Sequence, residues 1–258
     1  MQPPDDHLQL RLAETEDDLH AAQRLRYEVF VAELGGDGPL VDHGERLERD
    51  EYDPHYDHLI LVDPRRDAAA LDHVVGVYRL LTGERAAELG RFYTEDEYDL
   101  TRLRQSGRKL LELGRSCVHS EYRGGAALYH LWNGLADYVL ERGIEILFGV
   151  ASFHGTDTGR LAEPLSYLHH RYLAPEELRV RARPGHFQRM DLMPEGRIDR
   201  KRATLALPQL IKAYLRLGGF VGEGAFIDRA FNTVDVCLLM DTAKMNAASR
   251  ARYTRGRA

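Results

Sequence analysis

This 258-residue chain predicts a mixed α/β fold with about seven strands, and three features carry that reading. Apolar runs of strand length recur, among them HLILVD at 58–63, KLLELGRSCV at 109–118 and IEILFGVASF at 144–153. Segments with helical spacing alternate with them, and a helix between the last two strands makes those strands parallel neighbours. The composition, 43% hydrophobic and 29% charged, is that of a folded globule and excludes a disordered or collagen-like chain. The length is enough to bury a full core without staples.

The elements follow in order. Residues 8–13 alternate as a first strand. Thr15 with Asp18 reads as a capping box, opening a helix through about Glu33 that Gly35 and Gly36 stop. Residues 37–57 are polar and irregular. Strands at 58–63 and 73–81 follow, joined by a charged turn, and 94–106 reads as helical or loose. KLLELGRSCV is an apolar run suited to a central strand. Leu128, Leu131, Trp132, Leu135 and Val139 mark one stripe of a helix at 126–142, which Gly143 ends. Past strand 144–153, helices are expected at about 160–173 and at 207–217, the latter bracketed by Pro208 and Gly218. Residues 218–228 are Gly-rich and extended, and 233–240 is a last strand. The domain expectation is one domain over 1–243 and a basic tail over 244–258.

Two cysteines, Cys117 and Cys237, make neither a disulfide framework nor a zinc site. The first residues have no basic n-region or apolar h-region, and no apolar run approaches the ~18 residues of a membrane span. The chain therefore reads as cytoplasmic, able to sit peripherally on the inner membrane. Its net charge of −6 is unevenly spread. Met1 to Asp57 holds 16 acids and 5 arginines, whereas Arg179 to Arg202 holds 8 cations and 3 acids. That asymmetry suggests an acidic end for a cationic ligand and a basic region for an anionic partner.

His58-x-x-x-x-Asp63 and Met193-Pro-Glu-Gly-Arg197 imitate the two motifs of glycerolipid acyltransferases. A separation of five along a strand puts His58 and Asp63 on opposite faces, roughly 16 Å apart, so they cannot serve one hydroxyl. Arg26 shares a helical stripe with Ala22 and Phe30. An arginine on a core-facing stripe needs carboxylates, and Glu48, Asp50 and Asp53 supply them; these acids also read as an acidic pocket for an amino group. Glu112 and Arg115 sit on the central strand with Gly114 between them as a natural bulge residue. Arg79 is a further cation in an apolar run.

The order Arg26-x-x-x-Phe30, Glu48-x-Asp50-x-x-Asp53, Arg79 and Glu112-x-x-Arg115 resembles the acyl-homoserine-lactone synthases, which have an acetyltransferase-like (GNAT) fold. Five further stretches resemble a sister family, the ornithine–acyl-carrier-protein N-acyltransferases: Glu112–Val118, Ala151–Asp157, Leu207–Gly218, Gly222–Asp228 and Phe231–Asp235. The resemblance runs from about residue 24 to 240. It implies a GNAT fold, a mixed twisted sheet with helices on both faces, opened between strands 109–118 and 144–153. It also implies transfer of a 3-hydroxyacyl group from acyl carrier protein to the α-amine of ornithine. The segment Arg123-Gly-Gly-Ala-Ala-Leu128 departs from the pyrophosphate-binding loop of acetyl-CoA enzymes. A phosphopantetheine arm, which lacks that pyrophosphate, suits it better.

In this reading Glu112 is the base, directly or through water, and Arg115 and Arg79 hold the amino-acid carboxylate. Glu48, Asp50, Asp53 and Asp157 hold its side-chain ammonium. Backbone N–H groups near Cys117 and Val118 meet the oxyanion, with Ser152 also at the substrate. Cys117 reads as a core residue, since no base is identifiable beside it. Arg200, Lys201, Arg202, Lys212 and Arg216 are expected to meet acyl carrier protein or an anionic membrane. No metal, bound cofactor or nucleic acid is expected. The alternatives are an acyl-homoserine-lactone synthase-like enzyme, an N-acyltransferase for another amino acid, and a membrane-associated interaction protein.

Overall fold

The computed structural model describes residues 7–124 and 126–244. In chain order its elements are β1 (Gln9–Leu12), α1 (Glu16–Arg26), β2 (Asp57–Val62), β3 (Val74–Thr82), α2 (Gly83–Leu89), β4 (Tyr98–Asp99), α3 (Thr101–Gln105), β5 (Leu110–Val118) and α4 (Ala127–Arg142). There follow β6 (Ile146–His154), α5 (Ala162–Tyr172), β7 (Arg181–Ala182), β8 (Phe187–Gln188), α6 (Arg200–Ala206), α7 (Gln209–Arg216), β9 (Phe220–Val221), β10 (Ala225–Asp228) and β11 (Thr233–Asp241). The chain forms two compact units, one from residues 1–89 and 113–143, the other from 90–112 and 144–258. Strand β5 begins in the second unit and ends in the first.

In the first unit the strand order is β1-β2-β3-β5, with β1, β2 and β3 antiparallel. The run HLILV is buried on both faces of β2, as an internal strand covered by helices requires. Ile60 and Val62 pack with Ala21, Ala22 and Leu25 of α1 and with Cys117. Leu59 alternates to the other face, where it lies beside Gly134 of α4. Helices α1 and α4 therefore cover opposite faces of this part of the sheet. A Cβ at Gly134 would come within 2.3 Å of Leu10, so the close seating of α4 on β1 asks for glycine there.

Thr15 forms the expected capping box with Asp18. The helix it opens is not uniform to Glu33. It is α-helical to Arg26 and widens into a π-helix over Tyr27–Glu33, where the β-branched Val29 and Val31 weaken the α-helical preference. Such widened turns concentrate at functional sites, and this one starts directly after Arg26.

In the second unit the order is β5-β6-β11-β10-β8, with β9 also on β11 and a separate pair β4-β7. Strands β5 and β6 are parallel, as the intervening helix predicts, through Leu110↔Ile146, Leu111↔Leu147 and Glu112↔Phe148. The Gly-rich segment 218–228 is two short strands rather than one, broken at Gly224 with φ +76°. The helix expected at 207–217 is α7, and a further helix, α6, precedes it. Pro208 sits at the N-cap of α7, not inside it. It forces Leu207 into extended backbone (ψ 138°) and so ends α6. Of the expected basic tail, residues 245–258 lie outside the described residues.

Candidate active site: a closed ring of six charges

In the first unit the sequence brings three arginines and three carboxylates together, and the structure arranges them in strict alternation. Arg26 Nε donates to Glu48 Oε2 at 2.5 Å, and its Nη1 donates to Asp53 Oδ1 at 2.6 Å. Arg79 Nη1 donates to Asp53 Oδ1 at 2.8 Å and to Asp50 Oδ1 at 2.6 Å. Arg115 closes the circle, from Nη2 to Asp50 Oδ2 at 3.4 Å and from Nε to Glu48 Oε1 at 3.1 Å. Each arginine thus touches two carboxylates and each carboxylate two arginines. A tightly buried set of charges is tolerable only in this balanced, hydrogen-bonded form.

The elements explain the convergence. Arg26 ends α1, Arg79 lies within β3, Arg115 lies in β5, and the polar segment before β2 carries the three acids. Gln23, one helical turn before Arg26, donates to Asp53 Oδ2 at 3.0 Å, and the Tyr56 ring lies 4.2 Å from the Arg79 guanidinium. Burial would push the Glu48 carboxyl up, but the nearby Arg26 and Arg115 guanidinium groups outweigh it and hold it at about 2. The same contest, won by Arg26 and Arg79, holds Asp53 well below the usual carboxylate range.

This geometry revises the expected acidic pocket. Each of the acids is matched by arginine, and of the three only Asp50 is open to solvent. Arg26 and Arg79 are fully enclosed, and Glu48 and Asp53 nearly so. Solvent reaches the ring at one link, where the side chains of Arg115 and Asp50 are 15% and 17% exposed. That link is also the longest of the six, at 3.4 Å. The unusual backbone of β5 is at Arg115, next to Gly114, with φ +49°. A non-glycine residue in that region is strained, and here the strain sits on the exposed member of the ring.

Cys117 is buried beside the ring, and burial pushes its thiol up to about 12. It is a protonated core residue. Val118 lends its carbonyl oxygen to Arg123 Nε at 3.0 Å.

Glu112, expected as base, lies in the second unit, three residues before Arg115 on β5. It is 1% exposed. Its Oε2 accepts the Tyr93 backbone N–H at 3.0 Å and its Oε1 that of Thr94 at 2.6 Å. The carboxylate therefore also fastens the turn at 93–96 to β5. Glu112→Gln would turn an amide donor toward one of these N–H groups. The expected cost is about 1–3 kcal/mol of stability, measured as a shifted urea midpoint at constant slope.

Ser152 is exposed on β6, opposite Asp235 of β11. Asp157 is exposed and occupied in its own turn, accepting from Gly159 N and Arg160 N, so neither is drawn into the ring. The imitation motif separates as expected. His58 is hydrogen-bonded to the Asp53 carbonyl at 3.0 Å, whereas Asp63 pairs with Arg65 and Tyr122.

The basic residues fall on two helices. Arg200, Lys201 and Arg202 form the first turn of α6. Arg202 is bonded to Glu163 through both carboxylate oxygens, and Arg200 lies 3.7 Å from Glu195. Lys212 Nζ donates to the Leu205 carbonyl at 3.1 Å, and Arg216 is exposed on α7.

Sequence reasoning missed Gln23, Tyr56, Tyr93 and Thr94. Gln23 was within reach, lying three residues before Arg26 on the same helix face. Tyr93 and Thr94 contribute only backbone, which leaves no signature in residue type.

Residues 25–133, which contain the ring, match the family model described as an acetyltransferase (GNAT) domain. A solved N-acyl amino acid synthase from uncultured soil microbes, FeeM, superposes with a TM-score of 0.54 at 12% identity. That match covers 94% of this chain and 97% of that one, and it concerns the fold. The chain is 64% identical over 247 residues to the L-ornithine N(alpha)-acyltransferase of Rhodobacter capsulatus, covering 96% of this chain and 95% of that protein. It is 40% identical over 248 residues to the enzyme of the same name from Brucella abortus, covering 95% and 88%. With the GNAT fold and nearly end-to-end similarity to these enzymes, the chain belongs to the L-ornithine N(alpha)-acyltransferase family.

Proposed function

We propose that this protein transfers an acyl group from a carrier-protein thioester to the α-amine of ornithine, giving an N-acyl amino acid with one free carboxylate. Family membership supports the acceptor. One structural observation supports where it binds: the ring's exposed link offers one guanidinium, Arg115, and one carboxylate, Asp50, already 3.4 Å apart. Ornithine carries both matching charges. Its carboxylate pairs with Arg115 and its side-chain ammonium with Asp50, which leaves the α-amine free to react.

The chemistry is aminolysis. The amine lone pair forms a C–N bond to the thioester carbonyl, the C–S bond breaks, the thiolate leaves, and the nitrogen gives up a proton. The thiolate leaves readily, so positioning supplies much of the rate. The candidate base is Glu112, directly or through a water; both of its oxygens already accept backbone N–H groups. A carrier-borne phosphopantetheine donor is supported by the segment Arg123–Leu128, which departs from the pyrophosphate-binding pattern.

Asp50→Asn is expected to raise the KM for ornithine about tenfold while kcat falls less, because it removes binding common to ground and transition states. If the KM is unchanged while thermal stability collapses, Asp50 is only a structural member of the ring. Mass spectrometry of lipids from cells expressing the chain tests the proposal itself: acylated ornithine must appear, and only with the active chain.

A further inference from the structure

We infer that Leu205 and the cations around it form a docking point for an anionic bilayer surface. Among the described residues Leu205 is the most exposed large hydrophobic side chain, at 70%. A single exposed leucine is ordinary, but the surroundings of this one are not. Helix α6 buries Ala203, while Leu205 faces solvent. Lys201 and Arg202 precede it by four and three residues and so lie on its side of the helix. Lys212 reaches its carbonyl oxygen at 3.1 Å. With Arg197 and Arg200 the segment carries five cations.

The acids nearby are Glu163, Glu195 and Asp199. Glu163 is held by Arg202, and Glu195 lies near Arg200. The Asp199 side chain accepts the backbone N–H groups of Lys201 and Arg202, so it caps α6. A positive excess remains around an apolar side chain. The wider charge distribution points the same way. Among the described residues, 90–112 and 144–244 contain 19 basic and 17 acidic residues, whereas 7–89 and 113–143 contain 12 and 22.

An apolar side chain that enters the headgroup region, ringed by long cationic side chains that stay at the surface, is the pattern of interfacial binding. The inference deepens the proposed function, since an acylated amino acid is an amphiphile that must be handed to a membrane, but it rests on the surface alone.

The full chain is sedimented with vesicles of phosphatidylcholine, or of phosphatidylcholine with phosphatidylglycerol, at low and high salt. Wild type is expected to bind only the anionic vesicles and to lose binding as salt rises. Leu205→Asp is expected to weaken that binding about tenfold and Lys201→Glu roughly fivefold, while Leu205→Phe retains it. Far-UV circular dichroism and acyl transfer from a soluble donor are expected to be unchanged in Leu205→Asp. Wild type that ignores anionic vesicles, or a Leu205→Asp variant that binds like wild type, overturns the inference. So does a Leu205→Asp variant whose only defect is a raised KM for carrier-bound donor, since the surface then serves the carrier protein. Vesicle binding is read without substrates, so a chain that binds vesicles but does not acylate ornithine contradicts the proposed function and leaves the docking point standing.

Discussion

Arg26→Ala is expected to lower stability by about 3–5 kcal/mol, the cost of removing one partner from a buried ion pair. Arg26 is fully enclosed and bonds two carboxylates, Glu48 and Asp53, which are themselves almost inaccessible. Removing it leaves those two acids with Arg79 and Arg115 as cationic neighbours and a cavity where the guanidinium stood. Acid unfolding gives an independent reading. The folded-state value of Glu48 lies below its ordinary 4.5, at about 2. Its contribution is therefore complete above about pH 4.5 and is lost as pH falls toward 2. Without Arg26 the Glu48 carboxyl protonates more readily, so the acid-unfolding midpoint must move up in pH. Urea unfolding at pH 7, with an acid titration of the same variant, measures both effects. A loss under about 1 kcal/mol with an unchanged acid midpoint would show that the ring does not hold this unit together.

Arg115 is expected to separate activity from stability. It is the exposed arginine of the ring and the one with φ +49°. Arg115→Ala keeps the strained backbone and loses the contacts to Glu48 and Asp50. Turnover should fall about a hundredfold, the scale seen when a substrate-positioning contact is lost. Arg115→Gly loses the same contacts but relieves the backbone, since glycine adopts positive φ freely. It should be more stable than Arg115→Ala by about 1 kcal/mol and no more active. Arg115→Lys keeps the charge but not the planar fork that reaches both carboxylates, and should fall between wild type and Arg115→Ala. An Arg115→Ala enzyme with near wild-type turnover would limit this residue to a structural role.

Much of this architecture was legible in the residues. Local signals did well: the capping box at Thr15, the extent of α4 and the parallel pair β5 and β6 each depend on neighbours close in sequence, although of the expected α4 stripe Leu131 and Leu135 are buried and Leu128 is exposed. The members of the ring were legible as well, because an arginine on a core-facing stripe and acids in a polar stretch must find one another. Their closure into a balanced circle was not. It is fixed by distances between β3, β5 and the segment before β2, and the same residues read equally well as an acidic pocket. The positive φ at Arg115 has no signature in the residues, since glycine is the better local candidate for it, and tertiary demands at a functional site override such preferences. The break between α6 and α7 turned on whether Pro208 opens the first turn of a helix or stands just before it, a difference of one residue that pattern alone does not resolve.

The acceptor and its reacting nitrogen are open to direct measurement. They are tested by incubating the purified chain with a 3-hydroxyacyl carrier-protein thioester and ornithine, and locating the new amide by tandem mass spectrometry. A single acyl group on the α-nitrogen is expected, formed with release of one thiol per amide, and strongly diminished in Arg115→Ala. Acylation of the δ-nitrogen, or turnover that is indifferent to ornithine while S-adenosylmethionine is consumed, would contradict the proposed function.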